Sequence, residues 1–390
     1  MKKTVLVAIA LALGVGWVIR PSNGLTHVTT TNTVIFDREI VRILDAHCVA
    51  CHAEEGPASP LVTYEETWLN RVPILTAILA RHMPPWSAVP GYGEFANDNG
   101  LTLREMQFVT SWVEGLGPRN AGEVFLNVGA GVAADVTAER ADVRSDAGEG
   151  EWELGDPSLV RPVGPGGVEP EQPERVERMV VELGLIAERR LRGLEFRPGD
   201  RRVVRAADFF IEETDQWLGS WTPWYGSTVF PLGVGYRLPA GANLRAEIHY
   251  GTSSERVVDG STLGLFLLDE SAEFSPLSEL VLEVRGQIPP GVAMERFAAQ
   301  APIGKDTRLL SLLPRFEPGI RSLEVSVRRA DGGTDILLFA QDIPLEWPTP
   351  YIFKEPVLVE RGSILQATTY YENGSNAPEP GGFHLRVSRY

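Results

Sequence analysis

The stretch Cys48-Val49-Ala50-Cys51-His52 has the spacing C-x-x-C-H and contains both cysteines of the 390-residue chain. This spacing is the attachment signal of a c-type haem. Two intervening residues let both sulfurs reach one porphyrin edge, and the adjacent imidazole becomes the proximal iron ligand. A chance match within a zinc or redox site is the alternative, but zinc needs two more soft ligands and none lie nearby in the sequence. We therefore expect one covalent haem c, held by Cys48, Cys51 and His52.

The N-terminus predicts export. Two lysines precede an almost unbroken apolar run from Val5 to Ile19, which is the pattern of a secretory signal. Ser22-Asn23-Gly24 is only a weak candidate for a cleavage site. The apolar run is also shorter than the about 20 residues that a membrane-spanning helix needs. Residues 1–24 are therefore either a cleaved signal peptide or an uncleaved membrane anchor. The expected location is periplasmic or otherwise extracytoplasmic, with the protein soluble or tethered at its N-terminus.

The charge of the chain limits its partners. The formal net charge is −16 at pH 7, which argues against nucleic acid and anionic lipid surfaces. Residues 25–118 contain five arginines, no lysine and eleven acidic residues. Because opposite charges steer association, the expected partner is a redox protein, with a basic face as a hypothesis.

The haem motif lies in a segment with helical periodicity. Apolar residues at helical spacing fill 34–46 and 64–79, and Pro73 is expected to kink or split the second of these helices. Thr102 to Glu105 has the capping-box pattern that starts a third helix. Residues 25–118 are therefore predicted to form a small all-α monohaem cytochrome c domain.

The second iron ligand is expected between these helices. Met83 is followed by Pro84, which restricts it to extended geometry and suits a weak thioether ligand in a fixed loop. Ligation by His52 and Met83 would raise the haem potential and close the iron to small ligands. His82 is a rival, while Met106 lies in the apolar stripe of the third helix and is expected in the core.

The remainder of the chain changes character twice. Residues 119–150 are acidic and nearly free of aromatic residues, which indicates a linker. Short apolar or alternating runs separated by turn residues then predict two tandem all-β, jelly-roll-like sandwiches over 151–272 and 273–390. The aromatic run from Trp217 to Tyr225 has two interpretations, a docking surface or packing in the core and loops, and we prefer the second.

Several longer strings resemble a known family. The layout is similar to bacterial proteins in which a cytochrome c domain precedes a module like the copper type II, ascorbate-dependent monooxygenases of the peptidylglycine hydroxylating monooxygenase superfamily. The resemblance covers most of residues 34–375 and implies that Met83 is the axial ligand. It is carried by Cys48 to His52, Met83-Pro84-Pro85-Trp86, Gly91 to Asp98, Trp152 to Pro157, Leu194 to Gly199 and Leu238 to Gly241.

The copper ligands that the resemblance implies are mostly missing. The histidine pair expected after Val203-Val204 is replaced by Arg205-Ala206, and only His249 of that site remains. The second site, expected as His-x-His after a Leu-x-Pro turn, reads LLPRFE over 312–317. No methionine follows Met294 to supply the last ligand. Five of six matched ligand positions are therefore lost.

Counting side chains leads to the same expectation. Only His249 and His384 of the six histidines fall in the β region, which has no cysteine. Copper sites need several imidazole or sulfur ligands, and Arg315 would place a positive charge where copper would lie. We therefore expect no copper, and we expect His249 to be an ordinary strand histidine at the surface or half buried.

Three functions follow in order of preference. The first is an exported monohaem electron carrier, without catalytic residues, whose copper-less β-module is a scaffold or partner-docking platform. The alternative is a copper-dependent monooxygenase that is fed by its own haem and has atypical ligands. The third is a structural subunit of a larger redox complex whose haem only staples its domain.

Overall fold

The computed structural model describes residues 33–121, 151–269 and 271–390. Helices come first and strands follow, so the prediction of a mainly β chain built from sandwiches is confirmed. The predicted signal peptide or anchor at 1–24 lies outside the described residues, as do all but the first three residues of the predicted linker at 119–150. Among the described helices, none is both long and apolar enough to cross a membrane.

The helical part is made of short helices. A π-helical turn continues into α1, and the predicted helix over 64–79 is two helices that meet at Asn70. Pro73 lies in the first turn of the second of these, where its missing N–H breaks no helical hydrogen bond. The bounds are Phe36–Ile40 for the π-turn, Val41–His47 (α1), Val49–His52 (α2), Tyr64–Leu69 (α3), Arg71–Leu79 (α4) and Leu103–Glu114 (α5).

Two capping boxes fix the starts of α3 and α5. The predicted box at α5 is present, since the Thr102 hydroxyl accepts from Glu105 N at 3.2 Å and the Glu105 carboxylate accepts from Thr102 N at 2.8 Å. Thr63 and Glu66 form the equivalent box at α3. The apolar stripe of α5 centres on Trp112, which is fully buried in the core of the helical part.

The first sandwich has twelve described strands. One sheet has the order β1-β11-β4-β8-β12, with β7 also paired to β4, and the facing sheet has the order β3-β9-β5-β6. A short pair joins β10 and β2. The bounds are Leu159–Pro162 (β1), Gly166–Val168 (β2), Arg175–Glu182 (β3), Arg189–Arg197 (β4), Val204–Ile211 (β5), Gln216–Trp221 (β6), Ser227–Val229 (β7), Val234–Leu238 (β8), Asn243–Tyr250 (β9), Val257–Asp259 (β10), Thr262–Leu267 (β11) and Ser275–Pro276 (β12).

The second sandwich has eight described strands in two four-stranded antiparallel sheets. Their orders are β13-β20-β15-β18 and β14-β19-β16-β17, so β17 and β18 are edge strands. Alternating apolar residues from both sheets fill the space between them. The bounds are Ser278–Ile288 (β13), Glu295–Pro302 (β14), Thr307–Phe316 (β15), Ile320–Arg328 (β16), Thr334–Gln341 (β17), Tyr351–Val359 (β18), Ile364–Tyr371 (β19) and Glu379–Arg389 (β20).

The two sandwiches contact each other through both apolar and polar groups. Phe210 and Trp217 of the first sandwich form a buried cluster with Leu313 of the second. The hydroxyls of Tyr236 and Ser388 lie 2.8 Å apart across the same boundary. Trp217, the first residue of the aromatic run from Trp217 to Tyr225, is therefore packed in a core, which is the preferred interpretation of that run.

Candidate haem-binding site

The C-x-x-C-H motif lies on one helical turn. Cys48 follows the end of α1, and the amides of Cys51 and His52 both donate to the Cys48 carbonyl, at 3.0 and 2.9 Å. Residues three and four apart on a helix are neighbours on its surface. The turn therefore brings both sulfurs and the imidazole to one side of the chain, and both cysteines are free of disulfides.

A returning loop holds the imidazole of His52. His52 Nδ1 lies 2.6 Å from the Ser59 carbonyl oxygen. Since a carbonyl only accepts, Nδ1 carries the proton and Nε2 keeps its lone pair for a metal. Gly56 makes this loop possible, because a Cβ there would lie 2.1 Å from the Cys51 carbonyl oxygen. The tautomer required of a proximal haem ligand is therefore set by the local backbone.

The environment of the thiols keeps them protonated. Burial raises the pKa of Cys48 to about 12, and neighbouring Cys51 adds to the shift. Burial also raises the pKa of Cys51 to about 12, although the positive charges of Arg201 and Arg205 oppose it. These two arginines belong to the first sandwich, so charges of that sandwich act on the Cys51 thiol.

The candidate sixth ligands lie together after α4. His82 N donates to the Ala77 carbonyl at 2.9 Å, and the Met83 side chain is 37 % exposed. Both His82 and Met83 are exposed at this end of α4, so both remain candidates for the sixth ligand. Met106 packs against the helical core, as expected from its place in the stripe of α5.

An exposed apolar stripe runs along α4 toward Met83. Val72 and Leu79 are 58 % and 59 % exposed, and helical spacing places Leu75 between them. Ile78, on a different face of the helix, is buried in the helical core. A short helix that buries one apolar face and leaves a second one open has room for an apolar group on that second face.

The chain after Met83 leaves the helices and joins the second sandwich. Trp86 and Phe95 are buried in the core of that sandwich rather than among the helices. Between them, short ladder contacts pair Ala88 with Ala340 on β17 and Phe95 with Phe353 on β18. We call residues 86–97 the docking segment.

The positions where copper ligands were expected hold an ion cluster. His249 Nε2 lies 3.4 Å from Asp208 Oδ2, and Arg315, from the second sandwich, donates to the same carboxylate. The Ser220 hydroxyl also donates to Asp208. Burial alone would raise the pKa of Asp208, but the positive charge of Arg315, together with His249 and Ser220, holds that pKa well below its usual range. His249 is half buried, the second of the two placements expected for it.

Other histidines have different neighbours. His47 Nδ1 lies 3.2 Å from the Asn99 carbonyl oxygen, and His384 Nδ1 lies 3.4 Å from a carboxylate oxygen of Glu283. In the described ranges, no three His, Cys, Asp or Glu side chains group closely enough to hold a metal ion.

Three kinds of site residue were not foreseen from the sequence. Ser59 acts through its backbone carbonyl, which leaves no trace in residue type. Asp208 lies within an apolar strand, where a lone carboxylate could have signalled a buried ion pair. Asn97, which binds β18, has a partner more than 250 positions away.

Comparisons with known proteins do not identify a family. No protein-family model matches the sequence, and no curated protein matches it. Solved structures with some similarity include the major capsid protein P2 from bacteriophage PM2, with 8 % identity, TM-score 0.30, and coverage of 59 % of this chain and 96 % of that chain. PNGF-II in space group P21 has 11 % identity, TM-score 0.25, and coverage of 59 % and 65 %. At these TM-scores the similarities carry no argument.

Proposed function

We propose that this chain is an exported monohaem c-type cytochrome that carries electrons. The observation that carries the proposal is the contact between His52 Nδ1 and the Ser59 carbonyl, which leaves Nε2 free to bind iron beside two unpaired thiols. A bound haem would supply one-electron chemistry by cycling between ferric and ferrous iron. Attachment would need no oxidant, because the addition of a thiol S–H across a vinyl group is redox-neutral.

The residues of the helical part would hold this group in complementary ways. Cys48 and Cys51 would form the thioethers and His52 the proximal bond, with Met83 favoured over His82 as the sixth ligand. The stripe formed by exposed Val72 and Leu79 and by partly buried Leu75 would exclude water from one side of the macrocycle. In this proposal the helices are an all-α cytochrome c domain, followed by two jelly-roll-like sandwiches.

The β-module would serve as a scaffold or docking platform. The carboxylate of Asp208 is already bound by Arg315, and His249 is the one retained residue of the expected copper set. A cation at this place would meet the charge of Arg315, which is unfavourable. The acidic balance of residues 25–118 favours a redox partner with a basic face in an extracytoplasmic compartment.

The test is to produce the full chain with its haem and to record oxidised and reduced spectra, with iron and copper measured on the same sample. We expect one covalent haem, one iron and no copper. A weak band at about 695 nm in the ferric form would indicate methionine ligation. Met83→Ala should abolish the band, and the matched variant His82→Ala should retain it. Absence of covalent haem would overturn the proposal, and stoichiometric copper would favour the monooxygenase.

A further inference from the structure

The docking segment pairs with two edge strands of the second sandwich, β17 and β18. Its first part pairs with edge strand β17, where Val89 N donates to the Phe339 carbonyl at 2.8 Å and Gln341 N to the Ser87 carbonyl at 3.0 Å. Its second part pairs with edge strand β18, where Ala96 N donates to the Ile352 carbonyl at 2.7 Å. One segment therefore covers edges of both sheets, which would otherwise present unpaired backbone groups.

Aromatic side chains fix the same segment in the core. The ring of Trp86 lies 5.4 Å from that of Tyr351 and 5.9 Å from that of Phe95, and Phe95 stacks on Phe353 at 5.4 Å. All four rings are buried. Packed aromatic groups of this size contribute much of the stability of a core, so the segment is an integral part of the sandwich rather than a loop resting on it.

Asn97 ends the segment with a side chain that imitates backbone pairing. Its amide nitrogen donates to the Pro350 carbonyl at 2.7 Å, and its amide oxygen accepts from Ile352 N at 3.0 Å. The residue is 2 % exposed. Replacing it with alanine would leave buried backbone groups of the second sandwich without partners.

Met83 lies only three residues before Trp86. Three residues span at most about 11 Å, and the turn is tightened because Trp86 N donates to the Pro84 carbonyl at 2.8 Å. The connection from α4 to α5, residues 80–102, exceeds the length of about 12–15 residues above which loops without structure of their own are uncommon. Docking removes the freedom that such a connection would otherwise give Met83.

We propose that Trp86 and Asn97 are positioning residues for the sixth haem ligand, and that the second sandwich is the part of the molecule that keeps Met83 in place. The inference rests on the proposed haem function. Release of the docking segment from β17 and β18 would free Met83 and open the iron to external ligands. The β-module thereby determines ligand access to the haem in addition to any docking role.

The test compares Asn97→Ala with Asn373→Ala in the full-length haem protein. Asn373 is a matched control, because it is 1 % exposed in the same sandwich and donates to the Ile288 and Ala377 carbonyls, away from the docking segment. The probe is imidazole, titrated into the ferric protein. Loss of two hydrogen bonds should raise its affinity about tenfold or more in Asn97→Ala, with a weaker band at about 695 nm, while Asn373→Ala stays close to wild type.

A second readout does not involve the haem iron. Hydrogen exchange at the Val89 and Ala96 amides should accelerate in Asn97→Ala and stay unchanged in Asn373→Ala. If Asn97→Ala does not accumulate, Phe353→Leu replaces it, with Phe297→Leu as the control. Both rings lie in the core of the second sandwich, but Phe353 stacks on Phe95 of the docking segment, whereas Phe297 packs against Tyr371.

The outcomes separate the two proposals. A wild type with haem and the methionine band, combined with equal imidazole affinity in both asparagine variants, would overturn this inference and leave the haem function standing. Wild-type protein without covalent haem would overturn the proposed function, and the inference with it.

Discussion

Arg315→Met probes the ion cluster that joins the two sandwiches. The side chain of Asp208 is 1 % exposed and that of Arg315 is 32 % exposed. Removing one partner of a buried ion pair costs about 3–5 kcal/mol, because the other charge is left uncompensated. Since Arg315 is partly exposed and His249 and Ser220 still contact Asp208, we expect a loss in unfolding free energy of about 2–3 kcal/mol.

The loss should depend on pH in a defined direction. The pKa of Asp208 is lowered in the folded wild type, so its stabilising contribution is complete above the unfolded value of about 4 and is lost as the pH falls below it. Without Arg315, less positive charge opposes the effect of burial, so the pKa of Asp208 should rise, and protonation would then relieve the unpaired charge. The difference in stability between wild type and variant should be largest near neutral pH and shrink as the medium becomes acidic.

Urea unfolding followed by tryptophan fluorescence, at several pH values, measures this difference. Arg329→Met is the matched control, because its partner Asp335 and Arg329 itself are both exposed, and such pairs contribute little. The double variant Arg315→Met/Asp208→Asn should recover much of the loss, since neither charge remains. A loss equal to that of the control, or one that does not change with pH, would refute the role assigned to Arg315.

Three further predictions concern the helical part. Gly56→Ala would place a Cβ 2.1 Å from the Cys51 carbonyl oxygen, so the yield of covalent haem on a stained gel should fall, whereas Gly260→Ala, with no neighbour within 4 Å, should keep it. Thr102→Ala removes a capping box and should lower the unfolding free energy by about 1 kcal/mol in urea titrations, and an unchanged midpoint would contradict the capping role. Electron-transfer rates with basic and acidic redox proteins should diverge at low salt and converge at high salt, and equal rates at low salt would exclude a basic partner face.

Local patterns in the sequence predicted local structure well. The Thr102 capping box and the packing of Met106 against the helical core depend on neighbours within a few residues, and both are present. The split of the helix over 64–79 was predicted, but it lies at Asn70 rather than at Pro73. Proline is compatible with the first turn of a helix, and sequence alone does not say where that turn begins.

Long-range pairing could not be predicted in the same way. Ala88 and Phe95 lie between two predicted helices, and no periodicity in their short segment indicates a strand. Their partners Ala340 and Phe353 are more than 250 positions away. Edge strands accept any backbone with free amide and carbonyl groups, so the pairing depends on tertiary position rather than on residue pattern. For this reason a segment assigned to the helical part contributes to the core of a sandwich.

Arg205 and Arg315 lie at two positions where copper ligands were expected, and each contacts a part of the chain that is distant in the sequence. Arg205 binds Glu174 at 2.6 Å, its guanidinium carbon lies 5.5 Å from the ring centre of Trp347, and its charge acts on Cys51. The other arginine, Arg315, reaches from the second sandwich to a carboxylate of the first. Charged groups that are paired across boundaries hold those boundaries in register. Arg315 therefore has a structural role in the β-module, and the charge of Arg205 also acts on the Cys48–His52 stretch.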